Sequence, residues 1–203
     1  VAPVGCSVLA YNYFNCDMQE AAHGRAPAVA TGIKRVHPDK VVFSYQGDGD
    51  LASIGTAEIV HAAHRGEKIT TIFVNNAIYG MTGGQMAPTT LPGQKTETSP
   101  YGRDPETTGY PTKGPEFLAE VTPEGAYVAR ATVSKYKQLK RFLKNALRNQ
   151  IEGNGFSFVE VLSTCPTNWR TNAQQTWHFL EDEMEPYFPV GELKSPFSKG
   201  GDK

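Results

Sequence analysis

Five short apolar runs recur along the chain, at Val1–Ser7, Val41–Tyr45, Ile69–Val74, Ala126–Thr132 and Phe156–Leu162. Each is rich in β-branched or aromatic residues and is bounded by turn formers, the pattern of a buried strand. Helical spacing fills most of the gaps. Glu20 to about Val36 is rich in small residues, with Pro27 near the first turn, where its missing N–H does little harm. Leu51–Arg65 follows the second run, Glu116–Glu120 is a short helical piece, and Lys135–Ile151 places Leu139, Phe142, Leu143, Ala146, Leu147 and Ile151 on one face. Residues 80–115 show no period and many Gly, Pro and Thr. Loops that long inside a compact domain are usually functional or disordered; this one leaves a strand end and reads as cover for a site. Strands alternating with helices predict a doubly wound, mostly parallel α/β sheet in a single domain over 1–189, followed by a polar tail over 190–203.

The polar residues gather where two of these runs end. Val41–Tyr45 breaks into Gln46-Gly47-Asp48-Gly49-Asp50, and Ile69–Val74 stops at Asn75-Asn76. A helix of about 15 residues rises roughly 22 Å, and a six-residue strand returns roughly 20 Å. Asp48 and Asn76 therefore finish together at the carboxyl edge of parallel neighbours, where open α/β sheets bind ligands. A carboxylate and an amide oxygen suit a hard cation that keeps its other positions for phosphate and water, which points to Mg²⁺. Gly47 and Gly49 admit close approach to the backbone, and the helix after Asp50 offers free N–H groups to phosphate. The same residue types also serve as an ordinary cap and turn; their joint spacing favours a Mg²⁺–diphosphate cradle.

Composition narrows the partners. The chain has 203 residues, 39% hydrophobic and 20% charged, with a formal net charge of −1, which gives no reason to expect nucleic acid. No apolar run approaches a membrane span of about 20 residues. Three irregularly spaced cysteines, Cys6, Cys16 and Cys165, make no disulfide framework and suit a reducing, cytoplasmic setting. The first residue is Val1 and already looks like strand, so a segment is expected to precede it. His61 and His64 lie one helical turn apart with no third metal ligand in view. The basic face made by Lys135, Lys137, Lys140, Arg141, Lys144 and Arg148 reads as solvated, with docking of an acidic protein as the alternative.

Gly47-Asp48-Gly49, 25 intervening residues and then Asn75-Asn76 match the motif of thiamine-diphosphate enzymes. The string continuing through Ala77-Ile78-Tyr79-Gly80-Met81-Thr82-Gly83-Gly84-Gln85-Met86-Ala87-Pro88-Thr89-Thr90 resembles one branch, the β subunit of 2-oxoacid:ferredoxin oxidoreductases. Val4-Gly5-Cys6-Ser7, His23-Gly24-Arg25-Ala26 and Ser163-Thr164-Cys165-Pro166-Thr167-Asn168-Trp169 resemble it too.

The resemblance implies the diphosphate-binding type of domain. Mg²⁺ would lie on Asp48, Asn76 and the Ile78 carbonyl. Gly47, Gly49, Asp50, Tyr79, Gly80, Met81 and Thr82 would line the cofactor, with His23 and Arg25 near the diphosphate or the substrate carboxylate. Cys6 and Cys165 would be two of four ligands of a [4Fe–4S] cluster. The Cys-x-x-Cys pair that would complete it is expected upstream of Val1, and Cys16 matches no ligand. The glutamate against the cofactor's pyrimidine would come from an α subunit in a hetero-oligomer. Coenzyme A and ferredoxin, or a ferredoxin-like subunit, would be the other partners, an acidic ferredoxin being the protein that could dock on the basic face. The Tyr11–Asp17 stretch looks most like members acting on branched-chain 2-oxoacids or 2-oxoglutarate.

Overall fold

The computed structural model describes residues 1–197. Its strands are β1 (Phe43–Gly47), β2 (Thr70–Asn75), β3 (Tyr127–Thr132), β4 (Ser157–Leu162) and β5 (Gly191–Lys194), arranged β1-β2-β4-β3-β5. The first four are mutually parallel and β5 runs antiparallel to β3. The helices are α1 (Ala26–Val36), α2 (Thr56–His64), α3 (Pro105–Thr108), α4 (Gly114–Val121), α5 (Tyr136–Ile151) and the short α6 (Pro166–Trp169), α7 (Ala173–His178) and α8 (Glu185–Tyr187).

Alternation of side chains divides the core. Phe73, Val128 and Phe158 face α1, α2 and α4, meeting Ala30, Ile59, Ala62 and Leu118. Tyr127, Ala129, Val159 and Val161 face α5, meeting Phe142 and Ala146. Cover on both faces buries every residue of β3 and β4, which is why they read as continuous apolar runs. A third cluster of Ala77, Leu91, Leu162, Leu180, Met184 and Phe188 closes over the carboxyl end of the sheet. The mostly parallel doubly wound sheet is thus the one expected. No helix among the described residues is long and apolar enough to cross a membrane.

Several boundaries differ, each for a local reason. Val1–Ser7 is not a strand. Val1 alone brackets β1, donating to the Phe43 carbonyl and accepting from the Tyr45 N–H. Pro3 then lacks a donor, Gly5 turns the chain at φ 97°, and Cys6–Asn12 winds into a 3₁₀ helix. The helix expected from Glu20 starts at Ala26, because Gly24 stands at φ 79°. That expected over Leu51–Arg65 is broken at Gly55 into a wide turn, Asp50–Ile54, and α2. The expected tail begins with β5, so a fifth strand exists where none was read; residues 198–203 of that tail lie outside the described residues.

The aperiodic segment is organised around one buried cation. Arg103 is 5% exposed and donates to the carbonyls of Ala87, Pro88, Thr90, Thr108 and Gly109 at 2.7–3.3 Å. Five carbonyls substitute for a repeating ladder, and burial lowers the Arg103 pKa from its usual value. Arg103→Met should leave those carbonyls short of donors, costing roughly 3 kcal/mol. Hydrogen exchange over residues 87–109 checks this: faster exchange there, with the β2–β4 amides still protected, is the expected result. Unchanged exchange over 87–109 would refute the anchoring role.

Candidate functional site

A cleft of about 280 Å³ opens at the carboxyl ends of β1 and β2. Val4, Gly5, Cys6, His23, Gly47 to Asp50, Ser53, Ile54, Asn76 and Ile78 to Thr82 line it. Every residue expected at the cofactor therefore reaches one cavity, apart from Arg25.

Its floor is the Asp48 carboxylate, which is 4% exposed. Oδ2 accepts from the Asn76 N–H at 3.2 Å and Oδ1 from the Thr89 hydroxyl at 3.1 Å. Burial pushes the carboxyl up from 3.8 to about 7, against the pull of those donors and of the Ile78 N–H. The turn after β2 supplies the facing groups. Ala77 stands in the left-handed region at φ 57°, a conformation that an L-residue keeps only when its surroundings hold it. Asn75 Oδ1 accepts from the Ala77 N–H at 3.0 Å, Thr90 and Gln94 donate to the Ala77 carbonyl, and Trp169 Nε1 donates to the Asn76 carbonyl at 3.0 Å.

One backbone group of the turn is left over, the Ile78 carbonyl. The structure turns the Asn76 side-chain oxygen toward this carbonyl and toward Asp48 Oδ2; turned over, the amide nitrogen would donate to both at 2.7 Å. Two acceptors and a carboxylate aimed at one point need either that turned-over amide or a cation. A donor set of three oxygens, one anionic, is hard and suits Mg²⁺.

The walls are glycine and sulfur. A methyl group on Gly47 would meet nothing within 4 Å, and one on Gly49 would touch the Tyr79 ring at 3.2 Å. The backbone at Gly47 is therefore bare toward open space. A methyl on Gly80 would meet Cys6 Sγ at 3.4 Å and Cys165 Sγ at 3.5 Å. These two thiols, 159 residues apart in sequence, thus converge beside the Tyr79–Thr82 stretch. Burial, and then Cys165, raise the Cys6 pKa. Asn168 Nδ2 donates to both Cys165 Sγ at 3.2 Å and the Gly80 carbonyl at 2.9 Å. Cys16 is exposed and lies beside Met18, its Sγ donating to Sδ at 3.7 Å.

Two expected residues are used differently. Asp50 lines the cleft, but both its oxygens are occupied: His23 Nδ1 and the Gly24 N–H lie 2.6 Å from Oδ1, and Gln46 Nε2 lies 2.6 Å from Oδ2. It braces the wall of the cleft and fixes His23 by one ring nitrogen. Arg25 is half-exposed and pairs with Glu58 of α2, outside the cleft. The sequence assigns Thr89, Asn168 and Trp169 no role at the site, although the strings through Thr90 and Trp169 that carry the family resemblance contain all three.

A parallel sheet with an oxygen-lined point and bare glycine at its carboxyl edge is the architecture of a diphosphate-binding α/β domain. The chain belongs to the thiamine pyrophosphate enzymes, whose C-terminal TPP-binding domain matches residues 3–161. It is 53% identical over 193 residues to ketoisovalerate oxidoreductase subunit VorA of Methanothermobacter thermautotrophicus, covering 94% of this chain and 40% of that one. It is 43% identical over 168 residues to 2-oxoglutarate synthase subunit KorB of Methanocaldococcus jannaschii, covering 82% and 58%. The chain thus spans well under two thirds of either relative. A solved structure of 2-oxoglutarate:ferredoxin oxidoreductase from Magnetococcus marinus, with 2-oxoglutarate, coenzyme A and succinyl-CoA bound, superposes with a TM-score of 0.79 at 29% identity, over 97% of this chain and 71% of that one.

Proposed function

We propose that this chain forms the thiamine-diphosphate- and Mg²⁺-binding part of an oxidoreductase that converts a 2-oxoacid and coenzyme A to acyl-CoA and CO₂. Electrons would leave through a [4Fe–4S] cluster to ferredoxin. The observation carrying the reading is the convergence of Asp48 Oδ2, the Asn76 side chain and the Ile78 carbonyl beside the open face of Gly47.

Asp48, Asn76 and Ile78 would hold Mg²⁺, and the backbone at Gly47 and Gly49 would receive the diphosphate. The cofactor itself supplies the carbanion chemistry. His23, tethered by Asp50 through Nδ1, lines the cleft with its other ring nitrogen available to an anion. Cys6 and Cys165 would give two cluster ligands. Such clusters need four, and no group of three or more metal-binding side chains stands together among the described residues. The other two therefore come from outside them, as does the glutamate for the cofactor's far end, which an α subunit would provide. Branched-chain 2-oxoacids rank ahead of 2-oxoglutarate, on 53% against 43% identity to the respective relatives.

The test uses the full-length polypeptide assembled with its partner subunit. Thiamine diphosphate with Mg²⁺ should raise the midpoint of thermal unfolding, because a ligand that binds only the native state stabilises it. A low-potential dye should bleach only with a 2-oxoacid and coenzyme A, faster with 2-oxoisovalerate than with 2-oxoglutarate. Absence of any cofactor-induced stabilisation would overturn the cofactor assignment. CO₂ release with no dye reduction would replace the oxidoreductase with a non-redox decarboxylase.

A further inference from the structure

Two charges at the centre of the sheet are fully buried. Arg130 of β3 and Glu160 of β4 are directly opposite in register, and both are 0% exposed. Arg130 Nε donates to Glu160 Oε2 at 2.5 Å, and its two terminal nitrogens donate to Glu116 of α4 at 2.7 and 2.6 Å. Replacing such a buried cluster with apolar residues is often neutral or stabilising, so its presence calls for a use. The other Glu160 oxygen shows one. Oε1 accepts from Asn75 Nδ2 at 2.7 Å, and Asn75 spends its remaining oxygen on the N–H of Ala77.

An unbroken line of hydrogen bonds therefore runs from α4, across β3, β4 and β2, to the left-handed residue that aims Asn76 and the Ile78 carbonyl at Asp48. We propose that Glu116, Arg130, Glu160 and Asn75 act as positioning residues that hold the metal-binding turn in its cation-ready form. The physical reason is that Asn75 has two functional ends. Unless Glu160 fixes its amide nitrogen, its oxygen is free to rotate away from Ala77, and nothing else bonds that N–H. The proposal rests on the Mg²⁺ reading for its function, but not for its geometry.

Two readouts in the full-length protein separate the two. The Ala77 amide, followed by hydrogen exchange without any metal, reports on the turn alone. Mn²⁺ bound in the presence of thiamine diphosphate, followed by electron paramagnetic resonance, reports on the site. Glu160→Gln and Asn75→Ala should speed Ala77 exchange at least about tenfold and weaken Mn²⁺ about 10- to 100-fold, the usual cost of losing an outer-shell partner. Asn149→Ala removes a buried polar side chain of α5 that bonds Gly125, Phe156 and Ser157 instead. At similar overall stability it should leave both readouts at the parent level. Glu116→Gln, at a 40% exposed side chain, should give a smaller change in the same direction and decides the matter should the buried variants not fold.

Parent-level Ala77 exchange in the folded variants would overturn the proposal, as would an Asn149→Ala variant that loses Mn²⁺ equally. A parent protein that never binds Mn²⁺, with Ala77 exchange still faster in Glu160→Gln, would remove the Mg²⁺ reading and leave the positioning role standing.

Discussion

Asp48→Ala is expected to abolish cation-dependent cofactor binding while making the cofactor-free protein more stable at alkaline pH. The first half follows from removing the one anionic donor of the set, which should exceed the roughly 100-fold cost of disturbing an outer-shell partner. The second follows from burial. The folded-state carboxyl titrates at about 7 against a reference of 3.8, so the native state holds the proton more tightly than the unfolded one. This group's contribution to stability without ligand is then least unfavourable below pH 4, worsens as pH rises from about 4 to about 7, and is level above that. Three pKa units correspond to a destabilisation on the order of 4 kcal/mol. Alanine removes that burden but strands the Thr89 hydroxyl and the Asn76 N–H, so the net gain should be about 1–2 kcal/mol at pH 8 and absent at pH 4. Urea denaturation of both proteins at the two pH values measures it. A variant less stable than the parent at pH 8 would show that the carboxylate is not a desolvated burden. In the parent, the same proton competes with the cation, so Mg²⁺ affinity should climb about tenfold per pH unit below 7 and flatten above it.

The largest effect on the fold is expected from Gly55→Ala. A methyl there would lie 2.6 Å from the Asp50 carbonyl oxygen, 2.7 Å from that of Gly24 and 3.0 Å from Gly24 Cα. All three are backbone atoms and cannot swing aside. The reciprocal position fares no better: a methyl on Gly24 would stand 2.7 Å from the Gly55 nitrogen. Two chain segments cross with no room for a side chain, and the Gly55 N–H donates to the Asp50 carbonyl at 2.8 Å beneath the crossing. Separation of the strands of this crossing should cost more than about 3 kcal/mol and should displace His23, which Asp50 holds. Gly32→Ala in α1, where a methyl meets nothing within 4 Å, should instead stabilise by about 0.5–1 kcal/mol. Denaturation midpoints for the pair, with the His23 ring resonances, give the check. Equal stability of Gly55→Ala and the parent would rule out the close crossing.

The contrast between these two glycines shows what a linear pattern carries. Strand and helix periods are local, as is the break into Gly47-Asp48-Gly49, and so the sheet and the meeting of Asp48 with Asn76 were legible. Crossing points are not local. Nothing around Gly55 distinguishes it from Gly32 until Gly24 is brought against it. Likewise Arg130 and Glu160 each appear as a single charge inside an apolar run, and only the β3–β4 register pairs them. β5 was read as tail because, at the outer edge of the sheet, only Leu193 joins the core, leaving a polar four-residue alternation. Asp50 reaches the cleft, as its position implied, but its bonds to His23 and Gly24 join segments that the linear pattern does not bring together.

The Thr89 hydroxyl reaches Asp48 from a segment whose carbonyls wrap Arg103. The carboxylate is thus held from one side by this segment while it faces the open cleft on the other. Slackening at Arg103 should therefore be felt at the floor of the cleft, because the residue that steadies Asp48 Oδ1 belongs to the segment this one guanidinium ties together.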